Sequence, residues 1–212
     1  MQFIDEKLDA YACAHTSPES ELLRKINRET HLEVLQPRML SGHFQGRFLS
    51  MLSKMIRPLR ILEIGTYTGY SALCLAEGLV SNGKLVTIDI NEELAPKVQG
   101  YFNESEFSNR IEFILGDALQ VIPELDEKWD LVFIDADKHN YLAYYHLVFT
   151  HVNSGGYIIA DNVLWSGKVI QDDKNDKDTV LIREFNDFVR NDQRVESVLL
   201  PIRDGLSLVR KK

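Results

Sequence analysis

The feature that most constrains this 212-residue chain is an alternation that begins at Arg60. Short runs dominated by Ile, Leu and Val, namely RILEIG (60–65), KLVTIDI (84–90), RIEFILGD (110–117), WDLVFIDA (129–136) and GGYIIADN (155–162), are separated by longer mixed segments. Little polar alternation breaks these runs, as expected of strands buried on both faces of a parallel sheet. The intervening SALCLAEGL, NEELAPKVQGYF and NYLAYYHLVFTHV are of helical length. Strand alternating with helix predicts an α/β, Rossmann-like doubly wound fold with a mostly parallel sheet. Two further runs, VESVLLPI (195–202) and LSLVR (206–210), bring the strand count to seven. Asp204-Gly205 between them is a tight-hairpin signal, so the last strand turns antiparallel.

Residues 1–58 contain no such run and read as two or three helices, broken at Pro37. The expected organisation is one domain over 1–212, with a helical extension (1–58) on an α/β core (59–212). QDDKNDKD (171–178) reads as a solvated loop, and it lacks the glycine that a calcium loop needs at its sharp turn. A net charge of -8 argues against a nucleic-acid backbone as partner, because phosphate contacts need clustered Lys and Arg. Cys13 and Cys74 form neither a disulfide framework nor a zinc motif, so a cytoplasmic location is expected. The N-terminus does not resemble a signal peptide, and no apolar window approaches the ~18 residues of a membrane span.

The turn after the first run, Glu63 to Ser71, is EIGTYTGYS. Glycine-rich strand-to-helix turns are where open α/β sheets bind nucleotides. A dinucleotide fingerprint places a second glycine where backbone approaches a pyrophosphate, yet Tyr67 stands there, after Thr66, and Glu63 adds negative charge nearby. An amino-acid ligand with a sulfonium cation suits this turn better, and S-adenosylmethionine (SAM) has both features. Asp89 closes the second run near the ~20-residue offset of a ribose-binding acid. Asp117-Ala118 after the third run is a candidate adenine edge.

In a parallel sheet the carboxyl ends of all strands line one rim, which makes Asp135 a neighbour of Asp161-Asn162. Two carboxylates and an amide oxygen, without His or Cys, describe a hard-cation site for Mg²⁺, Mn²⁺ or Ca²⁺. The competing reading has Asp135 capping the helix that begins near Lys138 and Asp161-Asn162 capping a turn. Lys138 lies within reach of the same rim and suits a general base; its alternative is a salt bridge to Asp137, which has no other assigned role.

Four separated motifs, RILEIGTYTGYSALCLAEGL, FIDADKHNYLAYY, IIADNVLWSGKV and LPIRDGLSLVR, resemble the cation-dependent SAM O-methyltransferases, the caffeoyl-CoA and catechol O-methyltransferase group, in a bacterial small-phenol form. The match runs from about Leu35 to the C-terminus. The resemblance implies a class I methyltransferase fold, a cation on Asp135, Asp161 and Asn162, and Lys138 as base. It implies SAM contacts from Glu63, Gly65, Ser71, Asp89, Ala118, Asp135 and Tyr144, with Thr66, Tyr67 and Asp117 in the same turns. Met39 and Ser41 match cofactor-contacting positions of the caffeoyl-CoA branch, and Trp165 matches a wall of the acceptor pocket, which Met39 and Lys138 also face. It further implies a phenolic small-molecule acceptor with adjacent hydroxyls and a homodimer formed through the N-terminal helices.

The chain departs from the catechol enzyme, whose glutamate upstream of the final Asp-Gly touches a catechol hydroxyl; here only aliphatic residues occur near Val198. KVIQDDKNDKD is also shorter than the plant enzymes' counterpart, which bears on CoA-ester recognition. The two competing functions are an NAD-dependent oxidoreductase, which Tyr67 disfavours, and a catalytically silent SAM-binding protein, which the intact Asp135, Lys138, Asp161 and Asn162 disfavour. His139, His146 and His151 lack the spacing of a zinc site.

Overall fold

The structure, a computed structural model, describes residues 5–212. Its centre is a seven-stranded sheet formed by β1 (Arg60–Ile64), β2 (Lys84–Asp89), β3 (Ile111–Leu115), β4 (Trp129–Ile134), β5 (Val152–Asp161), β6 (Val195–Leu200) and β7 (Leu206–Lys211). The order is β3-β2-β1-β4-β5-β7-β6, so the chain reverses its winding between β1 and β4. The first five strands pair in parallel, and β7 runs antiparallel to both β5 and β6. The expected mostly parallel sheet with an antiparallel last strand is therefore what the chain forms.

Side chains along a strand alternate between faces, and the two hydrophobic clusters divide accordingly. Leu62, Ile64, Val132, Ile134 and Ile158 pack on one face against helices α7 (Tyr141–Phe149) and α8 (Lys177–Asn191). Ile61, Leu85, Leu131, Phe133 and Ile159 pack on the other against α2 (Glu21–Glu33), α3 (Gly42–Ile56), α4 (Tyr70–Ala76) and α5 (Ala95–Glu104). The N-terminal segment thus supplies part of one helical layer, with α1 (Glu6–Ala14) preceding it and α6 (Ala118–Val121) following β3. No helix among the described residues is long and apolar enough to cross a membrane.

Two expectations change. The β6–β7 connection is not a two-residue hairpin but the five residues Pro201 to Gly205, with Arg203 (φ 50°) and Gly205 (φ 90°) in the left-handed region. The charged stretch 171–178 is a loop only in its first part. Asp176 accepts from Thr179 N and caps α8, whose buried Ile182, Phe185 and Val189 lie on one helical stripe that the sequence reading passed over.

Candidate active site

A reversal of winding leaves a crevice at the carboxyl ends of the strands on either side. Gly65 follows β1 and Asp135 follows β4 at that point. A Cβ on Gly65 would lie 2.0 Å from the Asp135 carbonyl oxygen, and Gly65 has φ +99°. Only glycine lets the two strand ends come this close. Around them opens a cleft of about 1850 Å³, large enough for a nucleoside and a second small molecule together.

One side of the cleft is built from the first three strand ends. Gly65, Tyr67, Asp89, Asp117 and Ala118 line it, with Tyr144 from α7 and Met39 and Ser41 from the N-terminal segment. The Asp89 carboxylate accepts from Tyr67 N (2.7 Å) and Asn91 N (2.9 Å), which fixes the turn after β1 against the end of β2. Tyr67 is itself left-handed (φ 50°), and its hydroxyl donates to Gln36 O (2.8 Å). Asp117 caps α6 through Leu119 N.

Glu63, Thr66 and Ser71 sit behind this lining rather than in it. Thr66 Oγ1 meets Thr87 Oγ1, which donates to Glu63 Oε2, whereas Glu63 Oε1 is buried with no hydrogen bond. Burial pushes the Glu63 carboxyl up to about 8 against the pull of the Ser71 and Thr87 hydroxyls, with the Asp135 and Asp89 charges adding to the rise. Burial therefore works against a charge on Glu63 in the ligand-free protein.

The other side carries the carboxylates. Ile134 pairs with Ala160, so Asp135 and Asp161 follow one another on adjacent strands. Asp161 is buried, and its Oδ1 accepts from Asn162 N (2.6 Å). Its Oδ2 accepts from Gln45 Nε2 (2.5 Å). Burial, then the Asp135 charge, raises Asp161 to about 7, against the opposing pull of Gln45, Lys138 and Asn162. Asn162 is left-handed (φ 56°), a conformation Asn tolerates better than most residues. Asp135 does not cap the following turn, whose N-cap is Asp137 with no side-chain cap bond.

Lys138 is buried, and its Nζ donates to Tyr141 Oη (2.6 Å), Ala136 O (3.0 Å) and Asp135 Oδ1 (3.4 Å). Its ion-pair partner is thus Asp135, not Asp137. Asp137 instead accepts from Tyr144 Oη (2.8 Å) and Asn140 Nδ2 (2.9 Å), which gives it the role of holding Tyr144 in the cleft wall. Trp165 lines the far end of the cleft in a left-handed conformation (φ 48°). Val198 is exposed on β6 and outside the cleft. Gln45, Tyr141 and Arg203 escaped the sequence reading. No local pattern marks Gln45, whereas Tyr141 and Arg203 both lie inside quoted motifs.

A family model for O-methyltransferases matches residues 13–212. The chain belongs to the O-methyltransferase family. The match extends further toward the N-terminus than the Leu35 read from the motifs, taking in α2. A caffeoyl-CoA O-methyltransferase of Medicago sativa is 37% identical over 189 residues, covering 82% of this chain and 75% of its own. The catechol O-methyltransferase domain-containing protein 1 of Mus musculus is 33% identical over 212 residues, covering 98% and 80%. Among solved structures, the O-methyltransferase of Bacillus cereus in complex with SAH superposes with a TM-score of 0.89 at 31% identity, covering 97% of each chain. This O-methyltransferase is an enzyme that depends on SAM, and neither the nicotinamide-dependent nor the catalytically silent alternative is favoured.

Proposed function

We propose that this O-methyltransferase transfers the methyl group of SAM to one hydroxyl of a vicinal-diol phenol of catechol, caffeoyl or flavonoid type, assisted by a divalent cation. The observation that carries the reading is the pair Asp135 and Asp161 on adjacent strand ends, where the Asp135 charge adds to the burial that raises the Asp161 carboxyl. One ammonium, Lys138, faces them. Two carboxylates beside the Asn162 amide form an all-oxygen donor set that fits Mg²⁺ first, and Mn²⁺ or Ca²⁺ as alternatives. A cation held there stabilises negative charge on an acceptor hydroxyl oxygen.

The remaining work falls to the chain's own residues. Gln45 orients the Asp161 carboxylate from the side opposite Asn162. Lys138 Nζ, once it has given its own extra proton to solvent and become a neutral amine, takes the proton that the acceptor hydroxyl gives up, and Tyr141 Oη and Ala136 O keep Nζ from wandering. Asp89, Asp117, Ala118 and Tyr144 form the nucleoside side of the cleft, with Met39 and Ser41 over it, and Trp165 walls the acceptor. Methyl transfer needs little else, because holding two reactants in line is worth ~7–11 kcal/mol.

The Bacillus cereus structure, bound to SAH, supports SAM as the methyl donor. Free Cys13 and Cys74 fit a reducing, cytoplasmic setting. The exposed Leu8 and Tyr11 of α1 and Met51 and Met55 of α3 fit a homodimer joined through the N-terminal helices. The test is a product analysis with SAM and Mg²⁺ over catechols, flavonoids, caffeoyl esters and matched monophenols. Monomethylated diphenols with untouched monophenols support the reading, and equal methylation of both classes overturns the vicinal-diol requirement.

A further inference from the structure

The β6–β7 loop grips both walls of the cleft. The Arg203 guanidinium reaches the N-terminal segment, where Nη1 donates to Leu40 O (2.6 Å) and to Ser41 O, and Nη2 to Arg38 O (3.4 Å). Those carbonyls belong to the short 3₁₀ turn Pro37–Met39 and its exit, which carry Met39 and Ser41 into the cleft. The next residue faces the other way. Asp204 Oδ1 accepts from Ser166 N (2.5 Å), Asp204 O from Leu164 N (2.9 Å), and Gly205 O from Val163 N (3.2 Å).

The segment held by Asp204 is strained. Trp165 (φ 48°), Ser166 (φ 55°) and Gly167 (φ 76°) are consecutive left-handed residues. For a bulky residue such as Trp this is a conformation that persists only when its surroundings impose it. The left-handed Arg203 (φ 50°) separates the directions of the two side chains, so one dipeptide serves opposite walls. Lysine would replace this arginine only in part, because a single ammonium lacks the second nitrogen with which the guanidinium reaches Arg38 O as well as Leu40 O and Ser41 O.

We propose that Arg203 and Asp204 are positioning residues that couple the two halves of the cleft: Arg203 fixes the cofactor-side segment 38–41, and Asp204 fixes the acceptor wall at Trp165. This rests on the reading above that SAM and the acceptor occupy those two sides.

The test uses the full-length protein with Arg203→Met, Arg203→Lys, Asp204→Ala and Asp204→Asn. Hydrogen exchange of amides 38–42 and 163–167 in the ligand-free protein reads the two grips without any ligand. Calorimetry with SAH, and KM for an active diphenol, read their consequences. Arg203→Met is expected to speed exchange at 38–42 and weaken SAH about tenfold. Arg203→Lys recovers only part of this. Asp204→Ala is expected to speed exchange at 163–167 and raise the acceptor KM, with SAH affinity within twofold. Asp204→Asn, which keeps an acceptor oxygen for Ser166 N, behaves as wild type. Unchanged exchange in both Arg203→Met and Asp204→Ala overturns the proposal even if SAM chemistry holds. Wild-type protein that binds no SAH, with the exchange pattern as expected, counts against the cofactor reading and leaves the two grips standing.

Discussion

Gln45, on α3, donates its side-chain amide to the Asp161 carboxylate at the end of β5, 2.5 Å away and 116 residues further along the chain. Both groups are buried, so the bond is unscreened by water. It ties the N-terminal helical layer to the rim of the sheet at the carboxylate on which metal binding is proposed to depend. Gln45→Leu removes the donor and lets the Asp161 carboxyl rise further above about 7, so more of it is protonated at neutral pH. Loss of such an outer partner is expected to weaken Mn²⁺ binding about ten- to a hundredfold, as read by calorimetry at pH 7. An unchanged Mn²⁺ affinity would show that Gln45 has no part in the site.

The close passage of β1 and β4 makes Gly65 irreplaceable. Gly65→Ala sets a methyl against the Asp135 carbonyl and places a side chain at φ +99°. A loss of about 3 kcal/mol or more is expected from the combined steric and conformational cost. Urea denaturation of the variant beside wild type measures it, and a midpoint within error of wild type refutes the account of this turn.

Tyr141 is fully buried; its hydroxyl accepts from Lys138 Nζ and donates to Asp161 O (3.0 Å). Tyr141→Phe keeps the edge-on packing against Phe185 and deletes only the hydroxyl. The expected result is a kcat lower by about tenfold, the equivalent of one lost hydrogen bond, with SAH affinity within twofold. An equal loss of SAH affinity would mean that the hydroxyl supports the whole cleft and not the lysine.

Glu63 supplies a pH dependence whose sign is fixed. Its folded-state value of about 8 stands above the ordinary 4.5. The folded state therefore holds the proton more tightly, and the stability this contributes is complete below about 4.5 and lost as pH rises toward 8. Glu63→Gln, which mimics the neutral carboxyl, is expected to match ligand-free wild type near the acid end of that window and to exceed it in stability above pH 8. Thermal unfolding at both ends checks this. A variant that loses stability across the window as steeply as wild type would show that Glu63 does not titrate there.

What the sequence disclosed follows from how local each signal was. Asp135, Asp161 and Asn162 could be brought together on paper because each ends an apolar run, and parallel strands end on one rim. Gln45 could not, because a polar residue on a buried helix face looks the same as one facing solvent until the helix is docked. Tyr141 is hidden in an aromatic stretch, YLAYY, in which the resemblance marks only Tyr144 and the other rings read as core. The β6–β7 loop departs from its sequence signal for a different reason. Asp204-Gly205 is a strong turn signal, yet the left-handed Arg203 extends the loop to five residues and turns its side chains into contacts across the cleft. Helix α8 was legible from its cap and apolar stripe but was masked by the charge run that precedes it.

The Asp135, Asp161 and Asn162 cluster is proposed to make methyl transfer depend on a divalent cation. The most direct measurement is the rate of methyl transfer from SAM to a vicinal diphenol by EDTA-treated protein, before and after Mg²⁺ is restored, with Asp161→Ala run alongside. The expected rate collapses in EDTA, returns with Mg²⁺ in the wild type, and stays absent in Asp161→Ala while that variant still binds SAH. Full turnover in EDTA would contradict it.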